Sequence, residues 1–225
     1  TGEKYGGQYI SPLLLPNLKK VEEGFKKAIK DEKFINEINE GLRDYIGINT
    51  PILYSKELTN EAGGEGKIGK IFLKRTDLHN DASHKPVNAF QSVSLAKYLG
   101  YKKCITETGA SMNARAVAAA CAKLNIECEV HIGEVDAQKV SLNKDITELY
   151  GAKIVVVHDS TATLLPAMAS ALRAWQNDPS AMYVVGSVAG PHPYPLLVRT
   201  FASVMGRIAK KQFIEKVGKV PDTHW

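Results

Sequence analysis

The stretch Ile154-Val155-Val156-Val157 decides the fold. Four consecutive apolar, β-branched residues show no alternation between wet and dry faces. Such a run reads as a strand covered on both sides. Working outward, similar short runs stand at Lys70–Lys74, Lys102–Thr106, Cys128–Ile132, Lys153–His158 and Met182–Ser187. Helical spacing fills the intervals, at Pro86–Leu99, Ala114–Lys123, Gln138–Tyr150, Thr163–Gln176 and Pro195–Gln212. Gly100 and Gly151 fall just past two of these helices, where a left-handed residue closes the last turn. Strands alternating with helices predict an α/β fold, a parallel sheet with helices on both faces.

The first 60 residues read differently. Pro16 opens an amphipathic helix with Leu18, Val21, Phe25, Ala28 and Ile29 at three- and four-residue spacing. A second carries Phe34, Ile35, Ile38, Leu42, Tyr45 and Ile46 on one side, and Lys30-Asp31 supplies the break and the cap between them. Residues 1–60 are therefore expected to be an N-terminal helical extension, and 61–225 the α/β cofactor and substrate domain. Ala62-Gly63-Gly64-Glu65-Gly66 marks a loop between them.

Composition narrows the class. The 225 residues are 44% hydrophobic and 24% charged, which excludes collagenous and largely disordered chains. Net charge is +5, but Arg207 to Lys211 is the densest basic cluster, with only three basic residues. Nucleic-acid binding wants a basic stripe, so none is expected. Cys104, Cys121 and Cys128 form no CxxC pair and read as buried thiols of a reducing compartment. No apolar run reaches a membrane span, and no signal-peptide core follows Thr1-Gly2-Glu3-Lys4-Tyr5. A cytoplasmic location is expected, with an organelle as the alternative.

In parallel sheets the ligand crevice lies beyond the carboxyl ends of the strands. Three segments therefore matter. His84-Lys85-Pro86 places a lysine at a helix N-terminus, where the macrodipole disfavours a cation and frees the amine for attack on a carbonyl. A solvent-facing lysine in a polar loop is the plain alternative. Glu107-Thr108-Gly109-Ala110-Ser111 is a strand-to-helix turn whose backbone N–H groups converge on an anion, with Ser111 as a helix cap. Glu107 stands at the strand end as a general acid or base, or as a loop carboxylate. Gly190-Pro191-His192-Pro193-Tyr194-Pro195 reads as a rigid turn rather than a metal site, because His192 has no second ligand at usable spacing. Neither GxGxxG nor GxxxxGK[ST] occurs.

Taken together, these segments resemble the tryptophan synthase β-subunit family of fold-type-II pyridoxal-phosphate (PLP) enzymes. The residues that carry the resemblance are Gly6-Gly7-Gln8-Tyr9, Asp44-Tyr45-Ile46-Gly47, Thr50-Pro51-Ile52-Leu53-Tyr54 and Leu73-Lys74-Arg75-Thr76-Asp77-Leu78. With them stand His84-Lys85, Glu107-Thr108-Gly109-Ala110 and Gly186-Ser187-Val188-Ala189-Gly190-Pro191-His192-Pro193-Tyr194-Pro195. The resemblance implies that Lys85 carries PLP and moves the Cα proton of L-serine. His84 and Asn88 join it in binding the cofactor, His84 on the phosphate side. Glu107 assists departure of the serine hydroxyl and guides indole. Thr108, Gly109, Ala110, Ser111 and Asn113 bind the substrate carboxylate. The implied reaction joins L-serine and indole into L-tryptophan and water. The implied partners are an α-like subunit and a second β-like chain, with a mobile subdomain at about 100–187.

The sequence also departs from the family. GQHG is replaced by Ser111-Met112-Asn113-Ala114, and an NHTGAHK-like loop by His79-Asn80-Asp81-Ala82-Ser83-His84-Lys85. Two glycine positions thus carry side chains, and Arg115 brings a cation close by. The GGGSN loop that cradles the cofactor phosphate, the residue facing the pyridine nitrogen and a monovalent-cation site belong to the family's C-terminal half. The match here is to the N-terminal portion. Two expectations follow: an enzyme of this type whose site is completed by another chain or whose activity is degraded, or a non-catalytic binding subunit that keeps the fold and the partner surface. A third, another fold-type-II enzyme such as a serine or threonine dehydratase, is disfavoured by Gly190-Pro191-His192-Pro193-Tyr194-Pro195.

Overall fold

The structure is a computed structural model and describes residues 7–158 and 161–224. Gly6 of the family-like opening lies outside them. Two helices come first, α1 (Leu15–Ala28) and α2 (Glu32–Gly41). Asp31 caps α2 as expected, its carboxylate accepting from the Lys33 and Phe34 N–H groups at 3.0 and 3.4 Å. A single π-type turn over Leu42–Ile46 follows and ends at Gly47, whose φ is 70°.

Next come strand β1 (Ile52–Tyr54), short helices α3 (Lys56–Glu61) and α4 (Glu65–Ile68), and strand β2 (Phe72–Lys74). β1 and β2 pair antiparallel and form a sheet of their own. This differs from the sequence expectation, in which the 70–74 run opens the parallel sheet. The physical reason is proximity: β1, three residues long and hidden behind Pro51, offers β2 a partner about twenty residues upstream. Leu53 and Leu73, directly opposite one another, remain exposed.

The main sheet holds β3 (Lys103–Thr108), β4 (Glu127–Gly133), β5 (Lys153–Val157) and β6 (Ala181–Val184), in the order β5-β4-β3-β6 and all parallel. Helix α5 (Lys85–Tyr98) leads into β3; the crossovers are α6 (Met112–Leu124), the pair α7 (Glu134–Lys139) and α8 (Ser141–Leu149), and α9 (Leu164–Asn177); α10 (Tyr194–Val217) follows β6. The expected helix over 138–150 is two shorter ones, broken at Val140, whose φ of −126° is not helical.

Alternation sorts the side chains. One face carries Cys104, Thr106, Cys128 and Val130, and α6 closes it by bringing Cys121 beside the two other thiols. All three cysteines are buried and free. The opposite face carries Ile105, Glu107, Glu129 and His131 under α9. Trp175 of α9 stacks on Tyr183 of β6 at 5.7 Å, and its indole N–H donates to the Ala181 carbonyl at 3.0 Å. Helices thus cover both faces. A continuous buried cluster runs from Leu14 through α1, α2, α5 and the sheet to Phe201 of α10. Burial on that scale, at roughly 25 cal/mol per Å², is the main source of stability.

Candidate active site

The carboxyl ends of β3 and β6 and the N-terminus of α5 meet at one edge of the sheet. Lys85 is the first residue of α5, with Pro86 behind it and His84 at the cap position. Its backbone N–H donates to the Ser83 hydroxyl at 3.2 Å, and its Nζ donates to the Gly186 carbonyl just past β6. Burial pulls the Lys85 amine below its ordinary value, while the nearby Glu107 carboxylate pulls the other way. The wall behind is stiff, because Asn88 donates to the Val185 carbonyl at 3.0 Å. Asn88 is buried, and its Oδ1 accepts from Ser92 at 3.4 Å, so both ends of its amide serve the wall. His84 is exposed beside the helix N-terminus.

Glu107 is 4% exposed, and its Oε2 has no hydrogen-bond partner. Burial pushes its carboxyl upward; the Tyr183 hydroxyl and the Lys85 ammonium pull it down in part. Lys85 and Glu107 therefore both lean toward their neutral forms, which suits a proton-transfer pair.

Between Glu107 and α6 the chain turns through Thr108, Gly109, Ala110 and Ser111. Ser111 occupies the cap position but does not cap: its φ is 63°, it makes no side-chain bond to the helix, and its buried hydroxyl has no partner. The left-handed backbone swings the hydroxyl away from the helix N–H groups that a cap would serve. Asn113 in the first turn of α6 donates to Thr106 Oγ1 and to the Glu107 carbonyl, each at 2.9 Å. Gly186 makes room for it, since a Cβ there would stand 2.4 Å from Asn113 Cγ. The structure thus brings Lys85, Glu107, Asn113 and the Gly186 strand end together, and leaves the polar atoms of Ser111 and Glu107 unsatisfied.

The sequence reading missed a clasp beside them. Arg115 donates to Asp81 at 2.5 Å and to Asn143 of α8 at 2.8 Å, tying the loop before Lys85 to α6 and α8. Asp81 (φ 68°) and Ala82 (φ 53°) hold that loop in left-handed backbone. The only sequence signal was the charge of Arg115 set against Asp81, 34 residues apart.

His192 belongs to a structural turn. Its N–H donates to the Gly7 carbonyl at 3.0 Å, its carbonyl accepts from Gln8, and its ring meets Glu22 at 3.1 Å.

A lysine at a helix N-terminus, half-buried, its amine on the Gly186 carbonyl and within the electrostatic influence of a buried carboxyl, fits a group that reacts through a carbonyl. The orphaned atoms of Glu107 and Ser111 fit a polar occupant. This combination defines an α/β protein that holds a carbonyl cofactor, and the comparisons agree. The sequence profile described as "pyridoxal-phosphate dependent enzyme" matches residues 44–224, and the chain belongs to that family. Pyridoxal phosphate is the cofactor this membership implies. Within it, the chain is 43% identical over 220 residues to "Tryptophan synthase beta chain 1" of Wolinella succinogenes. That match covers 97% of this chain and 54% of the relative, so the chain spans about half the relative's length.

Among solved structures, a pyridoxal 5'-phosphate-dependent aspartate racemase superposes with TM-score 0.63 at 17% identity, covering 79% of this chain and 50% of that one. Serine racemase from Dictyostelium discoideum gives 0.58 at 15%, covering 87% and 53%. Maize serine racemase gives 0.56 at 18%, covering 84% and 51%. These three establish the fold, which is the fold-type-II arrangement expected from the sequence. No helix among the described residues is long and apolar enough to cross a membrane.

Proposed function

We propose that this chain forms the lysine-bearing half of a β-replacement site that joins L-serine and indole into L-tryptophan and water. The observation that carries the reading is that the half-buried Lys85 amine, set on the Gly186 carbonyl, and the buried Glu107 carboxyl with its orphaned oxygen lie at the same end of the sheet and influence one another electrostatically. Pyridoxal phosphate, when bound, supplies the electron sink for bond breaking at the substrate Cα. Lys85 anchors it, then takes and returns the Cα proton; burial, which lowers the charged fraction of its amine, favours both. Glu107, held toward its protonated form, gives a proton to the departing hydroxyl, which leaves as water. The resulting carboxylate receives the proton that indole loses as its carbon joins the substrate. The N–H groups of Thr108 to Asn113, at the N-terminus of α6, hold the substrate carboxylate. His84 faces the cofactor phosphate, and Asn88 steadies the wall through Val185.

The remaining half of the curated relative's length supplies the rest of the site in this reading, and the α-like subunit and second β-like chain are proposed on the same footing. So are a helical extension at 1–60, an α/β domain at 61–225, closure of about 100–187 over the site, and residence in the cytoplasm.

A second reading is a non-catalytic binding subunit. It is favoured by Asn113, whose amide is spent inside the fold, and by side chains at the left-handed positions Ala82 and Ser111. One experiment separates the two. Pyridoxal phosphate is added to the protein, alone and with a C-terminal half from a relative, then reduced with borohydride and mapped. A visible absorption band and a label on Lys85, with tryptophan made from serine and indole, is the expected outcome. No label on Lys85 in either preparation sinks the enzyme reading.

A further inference from the structure

A second cavity lies on the far side of α5. It is a half-open groove of about 450 Å³ between α2, the turn after it, and the exposed faces of α5 and α6. That volume falls within the roughly 300–1,000 Å³ of small-molecule sites. Its floor is aromatic: Phe34 lies against Tyr98 with centroids 5.0 Å apart, and Tyr45 against Phe90 at 5.6 Å. Gly41 is what lets the floor close, because a Cβ there would stand 2.1 Å from the Phe90 ring.

The two walls carry opposite charge. Glu37 and Glu40 stand on α2, three residues apart and on one stripe of the helix. Lys97 of α5 and Lys123 of α6 stand opposite. Among the described residues none of these four exposed side chains has an ion-pair partner, although all four line one groove. The third carboxylate on the acidic wall, Asp44, is already held by Arg43 at 2.6 and 2.7 Å. Lys123 leans over the Tyr45 ring at 5.5 Å and so is directed inward. Exposed charges of opposite sign on the two walls of an aromatic floor match an occupant with an ammonium at one end, a carboxylate at the other and a flat apolar body between.

We propose that this groove binds an aromatic amino acid as its zwitterion. The ring lies on the Tyr45–Tyr98 floor, the carboxylate meets Lys97 and Lys123, and the ammonium meets Glu37 and Glu40. The site is separate from the strand-end crevice and needs no cofactor, so the proposal stands or falls independently of the β-replacement reading.

The test is a titration of isotope-labelled protein, without pyridoxal phosphate, followed by amide chemical shifts. L-Tryptophan is the probe; tryptamine and indole-3-propionate each lack one of its charges. Saturation with Kd on the order of a millimolar or tighter is expected, with shifts centred on α2, Tyr45 and Phe90. Each single-charge analogue should bind about tenfold more weakly. The surface variant Lys97→Glu/Lys123→Glu should lose binding while Lys85→Ala keeps it. Absence of saturation, equal binding of tryptamine, or loss in Lys85→Ala with retention in the double variant would overturn the proposal. So would a light-scattering mass showing a dimer that the double variant dissociates, since the groove would then be a contact between copies.

Discussion

Glu107 and Glu129 sit on neighbouring parallel strands and on the same face of the sheet, Glu129 beside Ile105 and Glu107 beside His131 in register. They are almost equally buried, at 4% and 7% exposure. Yet their carboxyls are pushed in opposite directions, Glu107 upward by burial and Glu129 downward. The difference is partners. Glu129 receives Lys103 and Lys153, each at 3.2 Å, and the His131 ring at 3.1 Å; Lys103 also reaches Asp178, and His131 reaches Ser170 of α9 at 2.9 Å. Burial opposes charge on Glu129 too, but these bonds outweigh it. Glu107 has the Tyr183 hydroxyl, the charge of Lys85 without an ion pair, and one orphaned oxygen. One carboxylate is fully answered by its own fold. The other is left for something the fold does not itself contain, and that is where chemistry is to be sought.

The sharpest way to break the comparison is at the satisfied end. Glu129→Ala leaves Lys103 and a buried His131 without their shared acceptor, and should cost about 2–3 kcal/mol by denaturant unfolding. The sign with pH follows from the lowered carboxyl. Its contribution is present above the ordinary carboxylate range and is lost as pH falls through the depressed folded value. The gap between parent and Glu129→Ala should therefore narrow on acidification below that range. A gap that stays constant down to full protonation would show that the cluster acts by packing alone.

At the unsatisfied end the expected effect is smaller and opposite in sign. Glu107 titrates above its unfolded value, so its folded form is favoured at low pH and penalised as pH rises through the folded value. Glu107→Gln removes that penalty and should raise stability at neutral pH by about 1 kcal/mol, with the advantage vanishing in acid. In a preparation that makes tryptophan, the same change should abolish turnover while Lys85 still takes the borohydride label. A variant less stable than the parent at neutral pH would mean that the charged form is answered after all.

The same contrast explains what the sequence made legible. The apolar run Ile154–Val157 marked a parallel strand correctly but not its burial: β5 lies at the edge of the sheet, and Ile154, Val155 and Val156 are only part-buried rather than covered on both sides. The alternation of such runs with helical spacing was enough to read the parallel strands and the helices between them. β1 could not, because three residues behind Pro51 carry no period, and its pairing with β2 depends on space rather than pattern. Lys85 and Glu107 were legible because they follow strands and precede helices. The Arg115–Asp81–Asn143 clasp was not, since its members share no spacing and meet only when the loop before α5, α6 and α8 have packed together. In the groove, Phe34 and Ile38 were legible as the apolar side of a helix, but the charges around them carried no pattern. A sequence marks which charges are solvated, but not which of them remain unpaired across a cleft.

Ser111 gives the finest test of the idea that this end of the sheet stores what the other end satisfies. It pays twice, once for a left-handed backbone in a residue with a Cβ and once for a buried hydroxyl with no partner. Ser111→Gly removes both costs and loosens the unfolded chain, a term that works against it. The net gain should be a few tenths of a kcal/mol, seen as a small rise in Tm. If the hydroxyl is there for an occupant of the crevice, the variant becomes more stable but binds serine or its analogues more weakly in a completed site. If stability rises and affinity is unchanged, Ser111 is only strain, and the unsatisfied end of the sheet narrows to Glu107 itself.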